Sequence, residues 1–454
     1  MADTIIRIQS IELENFKNIQ KGIIDLTSYR QKSYYTGKSD IIGIYGQNGS
    51  GKTAVVEAYR LFKIIASGEK IPDDIQNYIY ELEDTAKLKF VFYIEKTNYK
   101  FLVYYEFSIR RKNNNQAEIV NEKLSSSEIL ENTKKHKYDI VEYDIDYIGS
   151  PILPIARYKE LIKQNKENDV NLKVIKKLTR ERRRSFIFND DLIELFHQHP
   201  SELGYDIISS IKHFAVINLF VITTRNPSPI SLNLIPSNYR LENSNDYISI
   251  KLLDSSIIDR NRYNLVLTII EQINIVLTTI IPHLHLEVVD LGNELSHSGD
   301  KLLKFELLSV KNEIRIPLKY ESEGIIKIIS ILSTLISMYN NPSICLIVDE
   351  LDSGIFEYLL GELLKIIEQK GKGQFLFTSH NLRALEMLDK DSLVFSTTNS
   401  RNRFIRIRNI KMNNNLRNVY LRGIDLGGLS ESIYEETNSF EIAHAFRKAG
   451  EFFE

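Results

Sequence analysis

Three stretches of this chain carry residues whose types and spacing can do chemistry. The first is Gly46-Gln47-Asn48-Gly49-Ser50-Gly51-Lys52-Thr53, set between an apolar run, Ile41 to Tyr45, and a helix-like run, Ala54 to Ala66. Strand, glycine-rich turn and helix form the setting in which a loop wraps a phosphate. Without side chains at Gly46, Gly49 and Gly51, the backbone can close on an anion and aim successive N–H groups inward. The positive end of the following helix favours the anion, Lys52 can reach the β- and γ-phosphates, and the Thr53 hydroxyl can hold Mg²⁺. The loop predicts binding of a nucleoside triphosphate.

The second stretch is Ile344-Cys345-Leu346-Ile347-Val348-Asp349-Glu350. A buried parallel strand delivers carboxylates at its end to the sheet edge where ligands of such sheets bind. Asp349 is expected to hold Mg²⁺ and Glu350 to polarise the attacking water. Leu351-Asp352-Ser353-Gly354 follows and opens a helix over 355–369. In the third stretch a strand, Gln374 to Thr378, runs into Ser379-His380-Asn381. A histidine just past a strand end, beside the presumed γ-phosphate, can hydrogen-bond that phosphate or the water.

These residues need a sheet to hold them, and the chain supplies one. At 454 residues there is material for two or three domains; 43% hydrophobic and 26% charged residues describe an ordinary globular composition. A formal net charge of −2 excludes a global field for nucleic acid or acidic lipid, so any such contact is a local patch. The single cysteine, Cys345, excludes an intrachain disulfide and suits a reducing compartment; inside an apolar strand it reads as a buried, inert thiol. No basic segment followed by an apolar core opens the chain, and a cytoplasmic location is expected. The longest apolar stretch, Ile269 to Leu286, is broken by Glu271, Gln272, Asn274, Pro282 and two histidines; it reads as a core helix, and no membrane contact is expected.

The chain before the loop predicts two strands, Ile6 to Leu13 and Gly22 to Leu26, with a turn at 15–18. Alternating runs at Lys87–Glu95 and Tyr99–Arg110 predict a hairpin across Lys96-Thr97-Asn98, and Asn113-Asn114-Asn115 a second one into Ala117–Val120. Over residues 125–245 lysine, asparagine and glutamate accumulate at helical spacing, which predicts a mostly helical insertion for oligomerisation or partner docking. Its run Arg180-Glu181-Arg182-Arg183-Arg184 fits either a solvated helix face or a docking patch for a polyanion or acidic partner. Loops are expected at Asn226-Pro227-Ser228-Pro229 and Pro236-Ser237-Asn238. Beyond them come a long apolar helix, Tyr263–Ile281, and strands near Leu284–Asp290, Leu302–Val310 and Glu313–Leu318. Tyr320-Glu321-Ser322-Glu323-Gly324 then opens a helix over 325–339. The domains expected are 1–124 and 246–400 as two halves of a nucleotide-binding head, the insertion between them, and a tail, 401–454, for partner or dimer contacts.

The order of these motifs resembles a known group. Ile11-Glu12-Leu13-Glu14-Asn15-Phe16-Lys17-Asn18-Ile19, the phosphate loop, Ser322-Glu323-Gly324, Asp349-Glu350-Leu351-Asp352-Ser353 and Thr378-Ser379-His380-Asn381 together look like an ABC-type ATPase head of the RecF/SMC/OLD group, in the stand-alone form grouped with AAA-family ATPases. The resemblance covers the first 110 residues and about 246–398. It implies an α/β P-loop fold with an antiparallel β subdomain, ATP and Mg²⁺ as cofactors, and two heads joined head-to-tail. Carried over, Ser322 and Gly324 would meet the γ-phosphate in trans, Asp352 would sit at the dimer seam and His380 would act as the switch.

The chain departs from the group's full signature: Glu321 stands in the leucine place, Glu323 replaces the first glycine and Ile325 the final glutamine. A carboxylate facing a triphosphate implies weaker ATP-driven dimerisation and slow hydrolysis. No residue fills the Q-loop glutamine well; Gln76 is available but poorly placed. The tail, from Asn413-Asn414-Asn415-Leu416-Arg417 through Leu426-Gly427-Gly428-Leu429, is similar to ATPases of bacterial anti-phage systems. There a head works with a separately encoded effector, a nuclease or Toprim-like protein of the same operon, and phage protein or DNA is the possible trigger. The expectation is therefore a slow ATPase, a homodimer or higher homo-oligomer, that controls such an effector. The alternatives are a RecF/SMC-like ATP-dependent DNA-binding repair protein and a self-sufficient OLD-like nuclease, although the stretch after His380 is short for the Toprim domain of OLD proteins.

Overall fold

The structure, a computed structural model, describes residues 4–97, 99–112, 116–129, 136–198, 202–223, 234–236, 249–295, 301–407, 416–425, 430–435 and 438–450. The chain opens with β1 (Ile5–Phe16) and β2 (Ile19–Asp25), followed by a single turn of helix, α1 (Thr27–Arg30). Next come β3 (Asp40–Tyr45), the glycine-rich loop and α2 (Lys52–Ala66). Four long strands follow: β4 (Thr85–Lys96), β5 (Tyr99–Lys112), β6 (Gln116–Glu128) and β7 (Lys137–Asp144). They join the first two strands in a six-stranded antiparallel sheet of order β2-β1-β4-β5-β6-β7. Pairing of Lys96 with Tyr99 and of Lys112 with Gln116 places both expected hairpins. Asn113–Asn115 themselves lie outside the described residues.

Four helices form the insertion: α3 (Ile155–Gln164), α4 (Glu167–Arg182), α5 (Asp190–His197) and α6 (Glu202–His213). The chain re-enters the head at β8 (Leu219–Ile222). Short strands β9 (Leu234–Pro236), β10 (Ser249–Lys251) and β11 (Ser256–Ile258) lead to α7 (Arg260–Ile280). The antiparallel strands β12 (Leu284–Leu295), β13 (Lys301–Lys311) and β14 (Ile314–Pro317) precede α8 (Glu323–Asn340). The remaining head elements are β15 (Cys345–Val348), α9 (Glu357–Lys370), β16 (Gln374–Thr378), α10 (Arg383–Met387), β17 (Leu393–Ser396) and β18 (Phe404–Ile405). Helices α11 (Leu416–Asp425) and α12 (Ser439–Gly450) complete the described chain.

The second large sheet has the order β18-β17-β3-β16-β15-β8; β17, β3, β16, β15 and β8 run parallel, and β18 is antiparallel at the edge. Its strands are buried on both faces, so they read as apolar runs. Along β15, Cys345 and Ile347 enter the core shared with α2 and the antiparallel sheet, while Leu346 and Val348 enter the core under α7, α8 and α9. Burial pushes the Cys345 thiol up to about 12, in keeping with an inert cysteine.

Three boundaries differ from expectation, each for a hydrogen-bonding reason. The break at 124/125 cuts β6, whose pairing with β5 continues through Glu128. Within the span 125–245, β7 belongs to the antiparallel sheet and β8 to the parallel one, so only 155–213 is helical insertion. Past residue 400, β18 still pairs with β17. The expected loop at Asn226–Pro229 and the tail motifs at Asn413–Asn415 and Leu426–Leu429 lie outside the described residues. The α7 helix has the length and apolarity to cross a membrane, yet its stripe Val266, Ile269, Ile270, Ile273 and Leu277 is buried in the head.

Two buried charges fasten the layers. The Glu122 carboxylate on β6 accepts from the Tyr105 hydroxyl (2.7 Å), the Ser185 hydroxyl (2.6 Å) and the Phe186 N–H (2.6 Å), tying the insertion to the sheet. Burial pushes that carboxyl above the usual range. Arg7 on β1, fully buried, donates to Asp40 at the start of β3 (2.7 Å) and to the carbonyls of Pro342 and Lys372, both 2.7 Å. Gln374 on β16 bridges the Ile8 carbonyl and Asp40, at 2.6 and 3.1 Å. The antiparallel sheet is thereby joined to the parallel sheet beneath the phosphate loop. Removing one partner strands the other charge in the interior. We expect Arg7→Ala to lower the unfolding free energy by roughly 3–5 kcal/mol in urea titration; a loss under about 1 kcal/mol, as at an exposed pair, would contradict this role.

Candidate nucleotide site

The phosphate loop sits at the C-terminal end of β3. Gly46 (φ 152°), Gly49 (φ 79°) and Gly51 (φ 95°) adopt the positive φ values that side chains disfavour. A Cβ at Gly46 would lie 1.9 Å from the Ser396 hydroxyl oxygen, so the glycine is also required by close packing against β17. Ser50 donates to the Gln47 carbonyl (2.6 Å) and meets Ser396. Lys52 opens α2, and its ammonium donates to the carbonyls of Gly46 (2.8 Å) and Gln47 (3.0 Å). Asn48 and Gly49 are exposed at the loop tip, and the Asn18 side chain donates to the Gly49 carbonyl.

At the end of β15 the Asp349 carboxylate accepts from the Thr378 hydroxyl (2.6 Å) and lies 3.5 Å from the Thr53 hydroxyl. One carboxylate and one hydroxyl converging beside a phosphate loop fit the hard-oxygen donors that Mg²⁺ takes. Glu350, next in sequence, has φ 48°, the left-handed region that costs a non-glycine residue on the order of 1–3 kcal/mol. Its neighbours enforce it. The Thr378 hydroxyl accepts from the Glu350 N–H (2.7 Å), the Leu351 N–H donates to the Thr378 carbonyl (2.9 Å), and the Lys327 ammonium donates to the Glu350 carbonyl.

Lys327 also donates to the Ser353 carbonyl (3.2 Å) and is buried on the inner face of α8. Burial pushes both Lys52 and Lys327 below the usual amine range; the negative charges of Asp349, Glu350 and Asp352 oppose that shift at both. The His380 N–H donates to Asp352 at 3.2 Å. Desolvation first, and the Lys52 charge second, hold the His380 imidazole below its ordinary value, so it is neutral at neutral pH. The structure thus gathers Lys52, Thr53, Asp349, Glu350, Asp352 and His380 in one place.

Ser322 and Gly324 stand elsewhere on the same frame. Ser322 caps α8, accepting from the Ile325 N–H (3.4 Å), and Glu323 occupies the first turn, where a carboxylate complements the helix dipole. A Cβ at Gly324 would lie 1.9 Å from the Gly354 carbonyl oxygen, so the segment rests on the turn that follows Asp352. Ser322 and Glu323 are exposed. Gln76 lies on the tight turn Asp73–Tyr78, where its carbonyl accepts from Arg111. Of the arginine run, Arg183 is buried against Asp73 and the Ile71 carbonyl, so it is structural; Arg180, Arg182 and Arg184 are exposed.

A family model described as "AAA domain, putative AbiEii toxin, Type IV TA system" matches residues 41–386, which include the phosphate loop, both carboxylates and His380. The chain belongs to this family. Its motif order and sheet topology are those of a P-loop ATPase head and resemble the ABC-type heads of the RecF/SMC group. Among solved structures it is similar to an Smc head bound to the C-terminal winged-helix domain of ScpA, at 12% identity over 88% of this chain and 98% of that one, with a TM-score of 0.41. It is also similar to the SMC head domain from Thermotoga maritima (14% identity, 89% and 100% coverage, TM-score 0.33). RecF with ATP, from the RecFOR pathway, gives 14% identity, 82% and 91% coverage and a TM-score of 0.34. With TM-scores this low, the fold assignment rests on the chain's own topology and motifs. No curated protein matches it by sequence.

Sequence reasoning gave no role to Thr378 or Lys327. A lysine inside Ile325-Ile326-Lys327-Ile328-Ile329 is the signal that was available, since a buried ammonium needs partners. Lys327→Met keeps the stem and removes the donor to Glu350 and Ser353. It is expected to lower the ATP turnover number by about tenfold or more while leaving the ATP dissociation constant within about threefold, measured by phosphate release and equilibrium fluorescence. An unchanged turnover number would contradict the positioning role.

Proposed function

We propose that the chain binds ATP with Mg²⁺ and hydrolyses it slowly between two head-to-tail copies. In this reading it serves in the cytoplasm as a sensor or scaffold that controls a separately encoded effector in bacterial anti-phage defence. The observation that carries the proposal is the enforced left-handed turn at Glu350, directly after the Asp349–Thr378 hydrogen bond. It is backbone strain spent where a carboxylate must be aimed.

Lys52 can leave the carbonyls of Gly46 and Gln47 for a phosphate, the stronger acceptor. Thr53 and Asp349 are the residues that would hold Mg²⁺, which neutralises phosphate charge when bound. Glu350 would orient the attacking water, and neutral His380 would hydrogen-bond it or the terminal phosphate. Exposed Ser322, at a helix N-terminus beside Gly354, would present a hydroxyl and backbone N–H groups to the nucleotide of a second copy. Exposed Glu323 would repel that nucleotide, which would slow turnover. The family description names a toxin–antitoxin system, and this supports a separately encoded partner.

The exposed arginines Arg180, Arg182 and Arg184 at the end of α4 favour a second reading, an ATP-dependent DNA-binding protein of the RecF/SMC kind. One experiment separates the two: the native operon is expressed with wild-type, Lys52→Ala or Glu350→Gln protein, and phage protection, co-purifying protein and DNA retention are scored. We expect protection to fall by at least tenfold in both variants, and a second protein to purify with the wild type. Protection unchanged in Lys52→Ala with no second protein would overturn the proposal. ATP-dependent DNA retention that falls steeply with salt, in the absence of phage protection, would favour the second reading.

A further inference from the structure

Thr223 follows β8 directly, at the C-terminal edge of the parallel sheet. Strand β8 pairs with β15 in a register that runs from Leu219 opposite Cys345 to Ile222 opposite Val348. The pairing continues one step further, because the Asp349 N–H donates to the Ile222 carbonyl (3.0 Å). Thr223 therefore stands level with Asp349 on the neighbouring strand. Leu219 and Val221, like Cys345 and Ile347, enter the core shared with α2. Strand alternation carries that same face on to Thr223 and Asp349.

On this face Asp349 has a threonine on either side. Because Val348 pairs with Phe377, Thr378 on β16 is level with Asp349, and its hydroxyl donates to the carboxylate at 2.6 Å. The Thr53 hydroxyl approaches the same oxygen at 3.5 Å from α2. Thr223 occupies the opposite flank. It is only 4% exposed, yet its hydroxyl has no hydrogen-bond partner among the described residues. Native folds keep few buried hydroxyls in that condition, because each has lost its water and gained nothing. Valine would fill the same space with no polar atom to satisfy. The hydroxyl therefore calls for a partner that arrives from outside the chain.

The ion that Thr53 and Asp349 would hold brings one. Mg²⁺ dehydrates reluctantly and keeps several waters when bound through one or two protein groups. Adjacent strands lie about 4.8 Å apart, so water around an ion on Asp349 is within reach of the next strand. A threonine hydroxyl has two lone pairs to accept from such a water and one hydrogen to give. We propose that Thr223 is a further positioning residue of the metal site, its hydroxyl holding a water of the Mg²⁺ shell on the flank of Asp349 opposite Thr378. The proposal rests on the ATP and Mg²⁺ reading above. Asp349 is then braced from one side by a direct hydrogen bond, and the water around its ion from the other.

The test uses the full-length chain with Thr223→Val, which keeps the branched shape and removes the hydroxyl. Thr223→Ser keeps the hydroxyl, and Asp349→Asn is the control. Mn²⁺ replaces Mg²⁺ as the probe. Free Mn²⁺ is titrated by electron paramagnetic resonance against protein saturated with a non-hydrolysable ATP analogue. Analogue binding in EDTA and unfolding in urea are measured beside it. We expect Thr223→Val to raise the Mn²⁺ dissociation constant about tenfold, the effect of losing an outer-shell partner, with analogue binding in EDTA within about twofold. Its unfolding midpoint should equal or exceed that of the unsubstituted chain, and Thr223→Ser should keep the Mn²⁺ constant within about threefold. An unchanged Mn²⁺ constant in Thr223→Val, beside a weakened one in Asp349→Asn, overturns the proposal and leaves the metal-site reading standing. A lowered midpoint in Thr223→Val also overturns it, since the hydroxyl would then already be satisfied within the fold. No bound Mn²⁺ in the unsubstituted chain, or indifference to Asp349→Asn, overturns the metal-site reading and the proposal with it.

Discussion

The site depends on a backbone turn at Glu350 that its own side chain disfavours. Left alone, a glutamate at φ 48° would relax into an extended or right-handed helical conformation. Thr378 and Lys327 hold it from two sides, and each does a second job: Thr378 also orients Asp349, and Lys327 also grips Ser353. One constraint therefore fixes Asp349, Glu350 and the turn on which Gly324 rests. Because Lys327 belongs to α8, the helix that carries Ser322, its hydrogen bonds tie the Glu350 turn to the Ser322 segment.

A second tie secures the floor of this arrangement. Arg7, Asp40 and Gln374 come from three strands of two sheets, and all are almost wholly buried. A lone charge there would be expensive; the mutual hydrogen bonds leave Asp40 satisfied also by the Ser28 N–H at 2.9 Å. The phosphate loop then receives support from parts of the chain far apart in sequence. Asn18 reaches Gly49 from the first hairpin, Ser396 packs on Gly46 from β17, and Arg403 donates to the Thr397 (2.6 Å) and Asn18 (2.7 Å) carbonyls.

Much of this was legible in the sequence because the relevant physics is local. The glycines of 46–51 are demanded by positive φ and by Ser396, and the apolar runs ending at Tyr45, Val348 and Thr378 read as buried parallel strands once the phosphate loop is placed beside them. The loop Gly46–Thr53, Asp349, Glu350 and His380 therefore emerge where strand-end reasoning puts them. What stayed hidden depends on distant pairing. Strand β8 is only Leu219–Ile222, too short to announce itself at the end of a polar insertion, and its place beside β15 comes from the fold. Arg183 looked like one arginine of a surface run, but its left-handed φ of 52° turns it inward onto Asp73. Glu323 read as a defect in a glycine signature; on the structure it opens a capped helix, where a carboxylate is locally favourable. The hydrogen bond from the Glu435 N–H to the Gln47 side chain carried no sequence signal, since the two are joined only by tertiary packing.

In the function proposed here, Glu350 and Ser322 serve one nucleotide from two chains. The most direct test is the light-scattering mass of Glu350→Gln with and without ATP and Mg²⁺. The substitution keeps Lys52, Asp349 and the Glu350 backbone turn while removing the charge that orients water, so bound ATP should persist. A mass that doubles on adding ATP and returns to the starting value when Lys52→Ala is introduced is the predicted result. A mass unchanged by ATP, with nucleotide binding demonstrated in the same sample, would contradict head-to-tail closure.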